Sequence, residues 1–229
     1  MDIFFQSLDS QEIIALAFFC ACWTGYGVYA KHDCRKDRSL LAVTNRYRYQ
    51  WMQEMIARDN RSVDAIMIGN LMRSITFTAN TTIFIIAGLL GMLSYHSEIA
   101  HIINAIPYAK PLTPALWEIK VLVLLLIFIY AYFKYTWSLR QHNYSSIFVA
   151  STPDHTRTDF DRNALAHKGA FLASNAAEHF NHGQRAYYFG IAVLAWFVHP
   201  YLFIAATAFV LFVLHRREFR SATLKNLDQ

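Results

Sequence analysis

An all-α, polytopic membrane bundle is the fold class this sequence predicts, on three observations. Hydrophobic residues make up 55% of the chain and charged residues only 16%, well under the roughly 25% of an ordinary soluble domain. Aromatic residues also reach 16%, as expected where Trp and Tyr collect at two membrane–water interfaces. Apolar stretches near the length needed to cross a bilayer, about 20 residues, recur along the chain and are separated by basic connections. We expect one integral membrane domain over residues 1–229, with four to five membrane segments at about 13–30, 75–95, 117–139, 185–199 and 200–214. Residues 31–69 and 140–184 are the expected cytoplasmic connections.

Residues 13–30 are almost purely apolar. No basic stretch precedes them and no small-residue cleavage site is apparent, so they read as a retained first span rather than a signal peptide. Residues 75–95 form the second span, continuing a helix that begins before Asn70. The third covers residues 117–139, with Glu118 and Lys120 at one end and Lys134, Trp137 and Arg140 at the other.

The last apolar region is too long for one ordinary span and is interrupted by His199-Pro200. Proline disrupts a helix interior and pushes the residue before it away from helical angles. Positive charge decides the shape of this region. Residues 31–61 carry eight Lys or Arg, whereas residues 96–116 carry only Lys110, and Lys and Arg mark the cytoplasmic side. The N-terminus is therefore outside, with Arg140, Arg157, Arg162, Lys168 and Arg185 inside. One long final span would leave Arg216, Arg217, Arg220 and Lys225 outside, against that rule, while a hairpin turning at His199-Pro200 returns them and the C-terminus to the cytoplasm. Its arms are short, about 15 residues or 22 Å of helix each, so five spans and three spans plus a re-entrant hairpin both fit.

Two cytoplasmic helices are expected. Between Thr44 and Asp64, the residues Tyr47, Trp51, Met55 and Ile56 recur at helical spacing, with Arg46, Arg48, Arg58 and Arg61 mostly elsewhere. Such a helix either lies amphipathically on the inner headgroups or packs on its neighbours in an oligomer. The Ala-rich residues 163–181 form the second. Cys20, Cys22 and Cys34 form no paired framework, and no structural disulfide is expected.

Several stretches stand out together. They are Trp51-x3-Met55 with Arg58-x-Asn-Arg61 and Val63-Asp64, then Gly69-Asn-Leu71 and Ser74-Ile-Thr-Phe-Thr-Ala-Asn-Thr-Thr82. Phe133-Lys-Tyr-Thr-Trp-Ser-Leu-Arg-Gln-His-Asn-Tyr144, Arg185-Ala-Tyr-Tyr-Phe189 and Arg216-Arg-Glu-Phe219 belong with them. In combination they resemble the bacterial and plant membrane-protein family called domain of unknown function 599, from about the first span to near the C-terminus. Where that family usually reads Ala-Ser-Thr-Thr, this chain has Ala79-Asn80-Thr81-Thr82. The resemblance implies a multi-span membrane protein and brings no activity, cofactor or catalytic residue with it.

Three constellations could carry chemistry. The first is the polar opening of the second span, where Asn70, Arg73, Ser74, Thr76, Thr78, Asn80 and Thr81 form a broad stripe. Lipid offers no hydrogen bonds, so this face should meet protein or water. It either lines a pathway or ties helix to helix, with Ala79, Ala87, Gly88 and Gly91 permitting close approach. The second is cationic. Arg73, Lys134, Arg140 and Arg185 fall near the cytoplasmic end, with Asn70, Asn143, Tyr144 and Gln184 at similar depth and Asp64 as a candidate counter-ion. Guanidinium forks suit phosphate or carboxylate, although positive residues at inner helix ends also serve orientation alone. The third is Glu178-His179-x-x-His182, with His167 one helix length upstream. Zinc or iron accepts such side chains, but no recognised metal motif accompanies them and metal binding is not expected. Among the motifs sought, no glycine-rich phosphate loop, Gly-x-Ser-x-Gly elbow or kinase set occurs, and no cofactor is indicated.

The function expected is therefore an oligomeric channel or transport-type protein of the inner (cytoplasmic) membrane, with the second span at its centre and a basic mouth favouring anions. A small bundle does not readily enclose a pore alone, so symmetric assembly would be required. The alternatives are an enzyme acting on a lipid or quinone, with Arg73 clamping a headgroup and His179 or His182 as acid or base, and a scaffold subunit of a larger complex. Expected partners are the bilayer, anionic phospholipid headgroups and further copies of the chain, not nucleic acid.

Overall fold

The computed structural model describes residues 9–31, 39–95 and 113–227. Cys34 and Lys110 lie outside the described residues. All regular structure among the described residues is helical: α1 (Ser10–Lys31), α2 (Leu40–Ala57), α3 (Ser62–Met92), α4 (Pro114–Ser151), α5 (Arg162–Trp196), α6 (Pro200–Phe219) and a short α7 (Ala222–Leu227). α1, α3 and α4 are long and apolar enough to cross a membrane. The chain is a helical membrane protein.

Short polar side chains set the helix starts. Ser39 accepts the Ala42 amide at 3.1 Å ahead of α2, and Asp161 accepts the amides of Asn163 and Ala164 at 2.9 and 3.1 Å ahead of α5. Thr113 caps α4 in front of Pro114, and His199 caps α6 in front of Pro200. A cap acceptor satisfies amides that the first turn leaves orphaned, and proline fits there because its missing N–H is not needed.

The frame of the molecule is the antiparallel pair α4 and α5, of 38 and 35 residues. At about 1.5 Å per residue they are about 57 and 52 Å long, against a hydrocarbon layer of about 30 Å, so each has room to extend past it. Small residues recur at every seventh position of α5, as Gly169, Ala176, Gly183 and Gly190, and all four are buried. They let α4 come close. A β-carbon on Gly183 would lie 2.5 Å from Tyr135 Cε1, and one on Gly169 would lie 2.5 Å from Phe148 Cε1. Between them Ser138 Oγ donates to the Ala176 carbonyl at 2.6 Å.

The other helices clothe this pair. Phe19 and Trp23 of α1 pack on Phe189, and Phe19 also meets Phe203 of α6. α3 lies along α4 and buries Ile75, Ala79, Thr82 and Leu89. A second core joins Met52, Met55 and Ile56 of α2 to Ile68, Val149, Ala166 and Ala170.

The helix limits extend and correct the sequence expectations. α4 runs on to Ser151 and α5 is unbroken from Arg162 to Trp196, so the Ala-rich helix and the first hairpin arm are one helix. Gly183 does not interrupt it because Tyr135 fills the space beside it. The basic helix ends at Ala57, before Asp64, where Asn60 Oδ1 accepts the Ser62 amide in a turn. One face of it packs inward, Met52, Met55 and Ile56 joining the chain's own second core. The chain does turn at His199-Pro200: Trp196 stacks on Phe203, and Tyr188 lies beside Arg217, so α6 returns antiparallel to α5.

Candidate functional site

The polar stripe of α3 separates into groups with different surroundings. Thr76, Thr78 and Thr81 donate to the carbonyls of Met72, Ser74 and Phe77 at 2.9, 3.0 and 2.9 Å. Their hydroxyls are thus satisfied within the helix. Thr82 is buried and its hydroxyl lies 2.6 Å from that of Tyr187. Arg73 donates to Asn70 Oδ1, and both residues are exposed. Ser74 lines a pocket. Asn80 is exposed, and its amide has no hydrogen-bond partner among the described residues.

Each of the four cations expected at one mouth has its own immediate partners. Lys134 Nζ lies 5.3 Å from the centre of the Tyr130 ring. Arg140 donates to the Tyr144 hydroxyl at 2.9 Å, and Asn143 is exposed beside it. Asp64 is not the counter-ion of Arg73. It is 1% exposed, and its Oδ1 accepts from Arg58 at 2.9 Å and from Trp51 Nε1 at 2.6 Å. Arg185 lines a pocket.

That pocket, of about 490 Å³, lies where α3, α5 and α6 approach the first turns of α2. Its polar lining includes Arg48, Arg185, Arg217, Glu218 and His142, and its apolar wall includes Leu71, Ile75, Phe180 and Leu214. Arg185 Nε donates to Glu218 Oε1 at 2.8 Å, and Tyr26 donates to the other carboxylate oxygen. Arg48 is different. Its Nη1 donates to Asn45 Oδ1 at 2.7 Å and Thr44 Oγ1 at 3.1 Å, both neutral. Burial pulls its guanidinium pKa below the ordinary value, because removing a charge from water without an opposite charge disfavours the charged form. Arg217 lies over the Tyr188 ring at 5.3 Å. Neither arginine has a carboxylate partner among the described residues. His142 is 5% exposed, and its Nδ1 has no hydrogen-bond partner among the described residues. Two arginines, Arg48 and Arg217, without carboxylate partners among the described residues and set beside an apolar wall, fit an acidic group carried on an apolar body.

A family model described as a protein of unknown function, DUF599, matches residues 14–223, nearly the whole chain. The chain belongs to the DUF599 family. No curated protein and no solved structure matches it.

In this DUF599 chain the Arg58, Arg61 and Asp64 stretch is a structural joint. Arg61 donates to the carbonyls of Thr152 and Pro153, both at 2.6 Å, and to that of Met55 at 3.3 Å. It thereby fixes the turn between α2 and α3 against the end of α4. A second joint went unread in the sequence. Glu12 is fully buried, accepts from Trp196 Nε1 and lies 3.5 Å from Lys120 Nζ. Lys120 also donates to the Trp196 carbonyl at 2.8 Å. The signal available for it was a pair of opposite charges at the same ends of two apolar segments.

The histidine constellation of this DUF599 member is dispersed. His167 stacks on Tyr49 with ring centres 4.3 Å apart, His182 Nε2 lies 3.5 Å from Glu178, and His179 packs edge-on against Trp137. Among the described residues, the group whose ligand atoms converge within 4.8 Å is Asp59, Asp154 and His155. There the Thr156 hydroxyl and amide already bond the Asp154 carboxylate and hold its pKa below the ordinary range.

Proposed function

We propose that this DUF599 protein is a multi-pass, transport-type protein of the inner (cytoplasmic) membrane. It takes the anionic headgroup of an amphiphile, a phospholipid in the first place, in the pocket at its basic end. The observation that carries this proposal is Arg48, a half-buried guanidinium facing the pocket whose described partners are all neutral. An intramembrane or interfacial charge is costly without a partner, and a phosphate would supply one.

Depth supports the same ligand. Trp137 is 45% exposed on α4, and an exposed Trp favours a membrane boundary. His179 packs against Trp137, so the neighbouring Phe180 and Arg185 in the pocket lie near one boundary. Arg61, bonded to the end of α4, and Arg58 beside it lie beyond that level, which argues that this boundary is cytoplasmic. Headgroup and acyl chain meet at such a level, matching a cationic lining beside an apolar wall.

Native mass spectrometry of the purified protein tests the proposal with phosphatidylglycerol and phosphatidylcholine as paired probes. Wild type should retain phosphatidylglycerol preferentially, and Arg48→Gln should lower that preference about tenfold, the scale of one hydrogen bond to a charged group. Equal retention of the two lipids by wild type, or an unaltered preference in Arg48→Gln, would overturn it.

An anion conduit formed by several copies is the second reading. It is favoured by the polar residues Asn70, Arg73 and Asn80, which are uncovered in the single chain. In that case Arg73→Gln, not Arg48→Gln, would alter anion flux in proteoliposomes.

A further inference from the structure

Resting on the reading of the pocket as a site for an acidic lipid headgroup, we infer that this headgroup also carries hydroxyl groups. The ligand class is a phosphodiester of a polyol such as glycerol, and Asn181, Gln184 and Ser74 recognise its hydroxyls.

The pocket presents two kinds of polar group. Arg48 and Arg217 line it as cations. Asn181, Gln184 and Ser74 line it as neutral groups, and none of these three side chains makes a hydrogen bond among the described residues. Asn181 and Gln184 are half-buried. They stand three residues apart on α5 and so share one face of the helix. Other polar side chains of the same lining are already engaged. Thr44 donates to the carbonyls of Leu40 and Leu41, both at 2.9 Å, and Arg185 is held by Glu218. Ser74 also differs from the other hydroxyls of its helix, since Thr76, Thr78 and Thr81 bond their own backbone.

The donors and acceptors decide what suits the neutral groups. A carboxamide offers two N–H donors and a carbonyl acceptor, and a serine hydroxyl both donates and accepts. A phosphodiester oxygen only accepts. A headgroup without hydroxyls would therefore use the arginines and the N–H side of each amide, leaving the carboxamide oxygens without a donor where it has displaced water. Such displacement loses affinity when the lost hydrogen bonds are not reproduced. A ligand hydroxyl donates to the carbonyl of one amide and accepts from the N–H of another, so a polyol meets both sides. Choline carries neither donor nor acceptor. An ammonium, as on ethanolamine or serine, calls for a carboxylate, and Glu218, the acid of this lining, already accepts from Arg185 and Tyr26.

The test is native mass spectrometry of the purified protein with an equimolar mixture of dioleoyl lipids. These are phosphatidylglycerol, phosphatidylcholine and phosphatidylmethanol, the last having the same singly charged phosphodiester without hydroxyls. Wild type should retain phosphatidylglycerol over phosphatidylmethanol about 2- to 12-fold, the range of one net neutral hydrogen bond, and phosphatidylmethanol over phosphatidylcholine. Asn181→Leu combined with Gln184→Met should bring the first ratio close to one and keep the second. Arg48→Met should lower both anionic lipids against phosphatidylcholine and keep their mutual ratio. Thermal unfolding verifies that each variant is folded, and Gln184→Met alone, which should lower the first ratio partway, serves if the double variant is not. Equal retention of phosphatidylglycerol and phosphatidylmethanol by wild type, with both above phosphatidylcholine, overturns the hydroxyl inference and leaves the acidic-headgroup reading standing. Equal retention of all three lipids overturns both. A glycerol preference undiminished in the folded amide variants overturns the assignment to Asn181 and Gln184.

Discussion

Tyr135 lays its ring across Gly183, with Cε1 2.5 Å from the point a β-carbon would occupy. The contact decides how closely α4 and α5 approach in the middle of the molecule, because there is no hydrophobic drive between helices in lipid and packing must hold them. Gly183→Ala forces either the ring or the helix to move. We expect a loss of about 1–3 kcal/mol, seen as a lower unfolding temperature in detergent. Gly88→Ala is the control: its β-carbon meets nothing within 4 Å, and the unfolding temperature should hold or rise.

The ion pair between Glu12 and Lys120 ties α1, α4 and the end of α5 together. Removing one member leaves the other charge stranded, at a cost of about 3–5 kcal/mol, whereas replacing both by neutral groups of similar size is far milder. Lys120→Met alone should therefore sharply reduce recovery of folded protein. Adding Glu12→Gln should restore most of it in denaturation by sodium dodecyl sulfate from mixed micelles. If the double variant is as damaged as the single one, the charge account is wrong.

Orientation can be read directly. With the basic end cytoplasmic, a probe at Ser94→Cys should react with a membrane-impermeant maleimide from outside intact cells, in a background without the native cysteines. Asn226→Cys, on α7, should react only after the cells are opened. Outside labelling of both positions would contradict the return of α6 to the cytoplasmic side.

Local chemistry made part of this molecule legible in advance. His199-Pro200 announces the turn between α5 and α6, because proline and the residue before it act within one turn. The second span was legible as a helix but not as a surface. Counting its hydroxyls suggested a wet face, while Thr76, Thr78 and Thr81 in fact bond their own backbone. Arg73 is conspicuous by its charge, and its described partner is Asn70 on the same helix. Arg48 and His142 belong to different helices and share a pocket only once α2 has packed on α4 and α5. Asp64 similarly finds Arg58 across a turn that no periodicity reveals.

The most direct measurement of the central claim is photo-crosslinking with phosphatidylglycerol bearing a diazirine on its headgroup, read by peptide mass spectrometry from reconstituted wild type. An acidic headgroup seated in the basic pocket should mark the start of α2 around Leu41 to Arg48 and the Gln184 to Tyr188 turn of α5, and Arg48→Gln should suppress both. Labels spread evenly around the lipid-facing belt, with those two segments no richer than the outer face of α4 and unchanged in Arg48→Gln, would contradict it.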